Sequence, residues 1–288
     1  MWKVLSFSLF VLVSTRSVSL NNEFIYGFGF MPRFAANLST MFNECSFLDR
    51  FKAAAHAGFC GVEYLFPYDF NPADIKARLD EHGLKQVLFN MPAGNWAAGD
   101  RGLACIPARI NEFKETVEQS IEYAKVLDCE QIHCMMGVAP KGVDKDILLQ
   151  VVLDNLKYAA DKFKHENIKL LIEPINTRDI PGYYLSHTID ALNLISEVDA
   201  HNISLQYDIY HMQVMEGDLA MTIKENLASI AHIQIADTPG RYEPGTGEIN
   251  YAYLFSFLDD VGYQGWVGAE YFPSTTTQDS LKWFEPYR

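Results

Sequence analysis

The sequence predicts a single α/β domain folded as one (β/α)8 barrel. Three observations carry that prediction. A chain of 288 residues is the ordinary size of one such barrel. Eight short apolar segments alternate with longer amphipathic ones, the pattern of parallel βα units. Of the last four apolar segments three end in an acidic residue and one carries an amide just before its end, where a barrel of this kind keeps its catalytic groups.

The eight candidate strands are 33–38 (RFAANL), 61–66 (GVEYLF), 85–90 (KQVLFN), 130–135 (EQIHCM), 168–173 (IKLLIE), 203–208 (ISLQYD), 230–235 (IAHIQI) and 265–270 (GWVGAE). Eight is the count that closes a barrel. Between them, Ser46 is placed to cap a helix through Phe47, Leu48, Phe51 and Ala54 that ends at Gly58. Asn71-Pro72 reads as a cap with proline in the first turn, and Gly83 closes that helix. From Pro107 to Asp128 the residues Ile110, Phe113, Val117, Ile121 and Ala124 recur at helical spacing, and Asn250 to Val261 repeats the pattern. After residue 270 only 278–284 offers a helix, so the eighth is short. An open doubly wound sheet would want an early glycine-rich phosphate turn, and the first strand runs into Asn37-Leu38-Ser39 instead.

Composition narrows the partners. Hydrophobic residues at 49% supply a full core. A net charge of −14 argues against nucleic acid, whose phosphates need a basic surface, but leaves small anionic substrates open. Five cysteines (45, 60, 105, 129 and 134) without CxxC spacing read as reduced, mostly buried thiols. Residues 1–30 stand apart as an N-terminal extension or signal-like segment: Lys3, an apolar run from Val4 to Val13, and Ser17-Val18-Ser19 outline a secretory signal too short to span a bilayer. Sequons at Asn37 and Asn202 fall at strand edges where a glycan does not fit. The expectation is a cytoplasmic enzyme with its barrel over 31–288; secretion is the alternative if residues 1–30 act as a signal. A homo-oligomer stays open.

Strand five ends in Glu173, strand six in Asp208 and strand eight in Glu270, and strand seven places Gln234 just before its end. Three carboxylates converging on one cavity repel one another unless a cation or protons compensate. An oxygen-rich set of this kind suits Mg2+ or Mn2+, so these four are the expected metal ligands. A single acid after a strand is more often a helix cap or a solvated charge; four suitable residues at four consecutive strand ends are harder to dismiss. His211, three residues after Asp208, is within reach as a ligand, a shuttle or a substrate donor, against the plainer reading of a hydrogen-bonded helix-start histidine. Arg241, on a glycine- and proline-rich loop, is the expected substrate clamp, against a solvated charge. Glu248 in that loop is equally suited to capping the next helix. His232 shares the parity of Gln234 and reads as a packed residue one layer below. Asn37, Glu63, Asn90 and His133 sit in the first four strands, each more simply a structural hydrogen-bond partner. Trp96 either covers the cavity or packs on its own loop.

The stretches MPRFAANLSTMF, GVEYLFPYDF, LDCEQIHCMMGV, LLIEPIN, HIQIADTPGRYEPGTGEINY and VGYQGWVGAEY resemble the hydroxypyruvate isomerase family of the xylose-isomerase-like TIM barrels, from Met31 nearly to Arg288. The resemblance implies interconversion of hydroxypyruvate and tartronate semialdehyde. It also implies that Glu173 and Glu270 are the paired acid/base residues and that Glu173, Asp208, Gln234 and Glu270 hold a divalent metal. Moving a carbonyl by one carbon requires a proton to leave one carbon and return to its neighbour, and a Lewis acid stabilises the enediolate between them. On that reading Asp208 and Gln234 mainly hold the ion and Arg241 binds the substrate carboxylate. Rival readings are a 2-oxo-tetronate isomerase or ketose 3-epimerase on the same barrel, a metal-dependent nuclease, which wants more histidines and a basic surface, and a binding protein that kept the barrel without catalysis.

Overall fold

A computed structural model describes residues 32–288; the signal-like reading of residues 1–30 lies outside them. Eight parallel strands close into a barrel in sequence order: β1 (Arg33–Asn37), β2 (Gly61–Tyr64), β3 (Lys85–Asn90), β4 (Gln131–His133), β5 (Lys169–Ile172), β6 (Ile203–Asp208), β7 (Ile230–Ile235) and β8 (Trp266–Ala269). Closure is made by β1 against β8, with Ala36 opposite Ala269. All eight expected strands are present. Five are shorter than expected, because the residues at their ends leave the ladder to line the mouth or the loops.

Around the strands run α1 (Phe47–His56), α2 (Pro72–His82), α3 (Ile110–Leu127), α4 (Lys145–His165), α5 (Thr188–Val198), α6 (Ile209–Met215), α7 (Leu219–Glu225), α8 (Tyr251–Asp260) and α9 (Thr277–Ser280). The Asn71 side chain accepts from the Ala73 N–H at the head of α2, and Gly83 ends that helix in the left-handed region. Ser46 sits at the head of α1 but caps no backbone N–H; its hydroxyl donates to the Asp49 carboxylate at 2.6 Å. Asp128 closes α3 with φ 52°, a conformation that aspartate tolerates better than most residues. The last unit is as short as expected: after α9 only 3-10 turns follow, Leu281–Tyr287. These press Trp283 and Phe284 onto Phe34, with ring centroids 5.2 and 5.7 Å away.

The main core lies between sheet and helices. Inside the barrel a small plug of Ala35, Val87, Leu88 and Leu171, with Trp266 against it, fills the N-terminal end. Above that plug the inward positions turn polar: Gln206, Glu63, His232 and Gln234 are all buried. That change from apolar floor to polar mouth places the site. All five cysteines are free, three of them buried. Asn37 and Asn202 are buried, so the structure agrees that neither sequon has room for a glycan. Among the described residues no helix is long and apolar enough to cross a membrane.

Candidate active site

Every strand brings a polar residue to the C-terminal half of the barrel: Asn37, Glu63, Asn90, His133, Glu173, Asp208, Gln234 and Glu270, in strand order. A cavity of about 230 Å³ opens over them, lined in part by Glu173, Glu270, His133, His211, Arg241 and Trp96.

Glu173 directly follows β5. Its Oε2 lies 3.5 Å from His133 Nε2 and its Oε1 3.9 Å from His211 Nε2, yet Oε1 accepts no hydrogen bond. Asp208 ends β6 and caps α6, its Oδ1 accepting from the N–H of Tyr210 and of His211. Its Oδ2 is buried and without a hydrogen-bond partner, 3.6 Å from His211 Nε2. Glu270 follows β8 and is held on both oxygens: Asn37 donates to Oε1 at 3.2 Å and Arg241 to Oε2 at 2.9 Å. His211 is fixed from behind by the Asn176 amide, 2.6 Å from Nδ1. Glu173, Asp208 and His211 each offer a ligand atom within 4.8 Å of the others.

Gln234 is turned differently. Its amide oxygen accepts from Gln206 and its nitrogen donates to Glu63 Oε1, leaving one oxygen lone pair for anything further. Arg241 reaches the cavity from the loop after β7 with φ 55°, and its guanidinium stacks 5.1 Å from the Tyr210 ring. That loop is pinned by Asp237, whose carboxylate accepts from the N–H of Thr238, Gly245, Gly247 and Ile249. Glu248 is no helix cap: it accepts from the Thr238 hydroxyl, and Asn250 caps α8. Trp96 lines the cavity and also packs on its own loop, 4.0 Å from the Arg101 guanidinium, and against the loop after β2, 5.1 Å from the Phe66 ring. His232 packs below the mouth as expected, bonded to Glu63 Oε2 at 2.7 Å. Gln206, Asn176 and Asp179 belong to the site and were not singled out from the sequence. Only Gln206 carried a usable signal, sharing the inward parity of Asp208.

Glu63 binds Asn37, His232 and Gln234, and Gly268 makes room for it: a Cβ there would lie 2.2 Å from Glu63 Oε2. Because three hydrogen bonds fix that carboxylate, it cannot swing aside. Gly268→Ala is therefore expected to cost about 1–3 kcal/mol by overpacking, measured by urea denaturation; an unchanged midpoint would contradict this.

The electrostatics follow from burial. Glu173 is pushed well above the usual carboxyl range by burial and then by Asp208 and Glu270. Burial raises Glu270 to about 8 and Asp208 to about 6, with Arg241 opposing in both. His133 is lowered to about 3, and His211 well below the normal range, by burial. The carboxyls hold extra protons in the folded state, so they destabilise the fold as pH rises toward 8. The histidines act oppositely, and only below about pH 6.5. Between pH 6.5 and 8 the carboxyl effect stands alone. Cation-free protein is expected to lose about 1.4 kcal/mol per pH unit for each extra proton held, and saturating Mg2+ or Mn2+ should flatten that slope. Chemical denaturation at stepped pH with and without chelator measures it; equal slopes would refute it.

Comparison with known proteins places this geometry. The model of the xylose isomerase-like TIM barrel family matches residues 51–287. The 2-oxo-tetronate isomerase of Cupriavidus necator is 50% identical over 257 residues, covering 89% of this chain and 99% of that one. The hydroxypyruvate isomerase of Escherichia coli is 50% identical over 258 residues, covering 90% of this chain and 100% of its own. A crystal structure described as AP endonuclease, family 2, from Brucella melitensis superposes with a TM-score of 0.88 at 51% identity, covering 90% of this chain and 100% of that one. With a family model over most of its length and half its residues shared with two isomerases, the chain is an isomerase and belongs to the xylose isomerase-like TIM barrel family.

Proposed function

We propose that the chain interconverts hydroxypyruvate and tartronate semialdehyde, with Glu173 and Glu270 as the acid/base pair. The observation that carries this is the unequal environment of two glutamates in one cavity. Burial raises both; at Glu270 the Arg241 clamp opposes that rise and favours the charged form, while Glu173 keeps a buried oxygen with no hydrogen-bond donor, which favours its protonated form. Environments that push two carboxyls apart assign base and acid. Glu270 takes the proton from C3 of hydroxypyruvate, giving the enediolate, and Glu173 delivers a proton to C2. The hydroxyl proton on O3 passes to O2, and exchange with solvent takes the proton from Glu270 and returns one to Glu173 before the next turnover, so atoms and charge balance. The reverse direction exchanges the two roles.

The donor set fits a divalent cation: buried oxygens of Glu173 and Asp208 lack hydrogen-bond partners and face one another's charge. Glu173, Asp208, Gln234 and Glu270 would hold Mg2+ or Mn2+. Glu173 and Asp208, with His211, already bring ligand atoms within 4.8 Å of one another, while Glu270 would share an oxygen with Asn37 or Arg241 and Gln234 would offer its remaining lone pair. When bound, such an ion supplies Lewis-acid stabilisation of the enediolate charge. Arg241 contacts substrate beside Glu270, Asn37 keeps Glu270 in place, and Trp96 covers the cavity. Free thiols and buried sequons support a cytoplasmic setting.

A four-carbon reading has its own support, since the Cupriavidus 2-oxo-tetronate isomerase is as similar as the Escherichia hydroxypyruvate isomerase. A panel of hydroxypyruvate, 2-oxo-tetronate and neutral ketoses with Mg2+ or Mn2+ tests the choice. The expected outcome is the highest kcat/KM on hydroxypyruvate; a higher value on 2-oxo-tetronate moves the assignment to the four-carbon acid, and a higher value on a ketose removes the acid substrate.

A further inference from the structure

The mouth of the barrel is crowded with negative charge. Glu173, Asp179 and Glu270 line it, Asp208 is buried beside them, and one arginine already serves three of these four. Arg241 Nη2 lies 2.9 Å from Glu270 Oε2 and 4.0 Å from Asp208 Oδ2, and its Nη1 is 3.7 Å from Asp179 Oδ2. An acidic substrate entering this cavity meets a guanidinium whose charge three carboxylates already share, although its buried Nε has no hydrogen-bond partner.

The second arginine of the cavity is Arg101, on the loop after β3. Among the described residues it makes no ion pair. Its neighbour Asp100 is taken instead by Arg109 Nη1 at 2.7 Å and the Asn95 N–H at 2.6 Å, and Arg109 is held further by Glu112. The Arg101 guanidinium lies 4.0 Å from the centre of the Trp96 ring. Its Nη1 donates to the backbone carbonyls of Trp96 at 3.1 Å and of Asp100 at 2.7 Å. These contacts fix the plane of the group and occupy Nη1. The Nε and Nη2 edge is left, the edge that grips a carboxylate through two parallel hydrogen bonds. A pre-oriented fork loses little entropy on binding, and an uncompensated charge is worth most where nearby carboxylates repel the ligand.

We infer that Arg101 is the residue that reads the carboxylate of the substrate, and so restricts the enzyme to short 2-oxo and hydroxy acids. The carboxylate clamp expected of Arg241 falls to Arg101, and Arg241 serves the reacting end beside Glu270. This inference rests on the isomerase reading above. It also gives the loop after β3 a role: Trp96 and Arg101 are stacked and line the same cavity, so the aromatic cover sits beside the captured carboxylate.

The test is equilibrium binding of glycerate, an acid of the right size that carries no carbonyl to isomerise, to the cation-loaded protein by titration calorimetry. Arg101→Gln is expected to weaken it by about 10- to 100-fold, the worth of a charge-assisted pair. The KM for hydroxypyruvate should rise by more than kcat falls. Arg101→Lys, which keeps the charge but not the fork, should fall between the two, and this variant guards against a loop that Gln merely unseats. Glycerate bound equally by parent and both variants overturns the inference, as does a loss confined to kcat with KM unmoved. The two readings fail separately. Arg101-dependent glycerate binding without turnover of any acid defeats the isomerase reading and leaves Arg101 standing. Turnover of hydroxypyruvate by a protein whose Arg101 variants bind glycerate normally does the reverse.

Discussion

Glu173→Gln and Glu270→Gln are each expected to lower kcat by about three orders of magnitude, within the range that a positioned acid or base contributes. Glutamine keeps the shape of each side chain but has one oxygen, so at position 270 it can still accept from Arg241 while its NH2 group faces the Asn37 donor. Removing a raised, buried carboxyl whose Oε1 accepts no hydrogen bond also relieves repulsion, so Glu173→Gln should fold at least as stably as the parent in the absence of cation, and it is the variant on which rate and stability are compared. Loss of rate without loss of stability is what separates a chemical role from a structural one. The double variant should be little slower than the worse single one, because the two residues act on one proton path. Full turnover in either single variant would remove it from the pair.

Chelation is expected to have an effect of similar size. Stripping divalent ions should lower turnover by about a hundred-fold or more, and Mg2+ or Mn2+ should restore it. Asp208 is the residue on which to test this. It directs one oxygen to two backbone N–H groups and leaves the other buried and unpartnered toward Glu173 and His211. Asp208→Asn keeps the cap acceptor while weakening the ligand, so it should raise the dissociation constant for the ion with α6 intact. Unchanged ion affinity, or turnover indifferent to chelator, would contradict a cation at these residues.

Much of this molecule is written locally. Strand parity and short apolar runs are enough to place eight strands, because a parallel barrel buries both faces of each. The same parity brings Glu173, Asp208 and Glu270 to one mouth, since each stands at the end of its strand. What parity cannot supply is the partner across the barrel. Glu63 meets His232, 169 residues on, and that meeting is set by the stagger of the strands rather than by either segment. Gln234 shows the cost: its position on β7 suggests a ligand, while the Glu63 carboxylate and Gln206 amide on either side engage both ends of it. Loops are less legible still. Nothing periodic in 174–187 tells which way Asn176 or Asp179 points, and Arg101 shows its value only once Asp100 is seen bound to Arg109. Ser46 fails as a cap for a local reason, because the Asp49 carboxylate three residues on takes its hydroxyl.

The proposed chemistry has Glu270 remove one proton from C3 and Glu173 deliver another to C2, at a cation-dependent site. Its most direct test is NMR of hydroxypyruvate in D2O with the enzyme and one equivalent of Mg2+ or Mn2+. Deuterium should appear at C2 of tartronate semialdehyde and at C3 of recovered hydroxypyruvate, and both signals should vanish with chelator or with Glu270→Gln. One ion bound per chain, with neither product nor exchange, would contradict the account and leave a barrel that binds without catalysing.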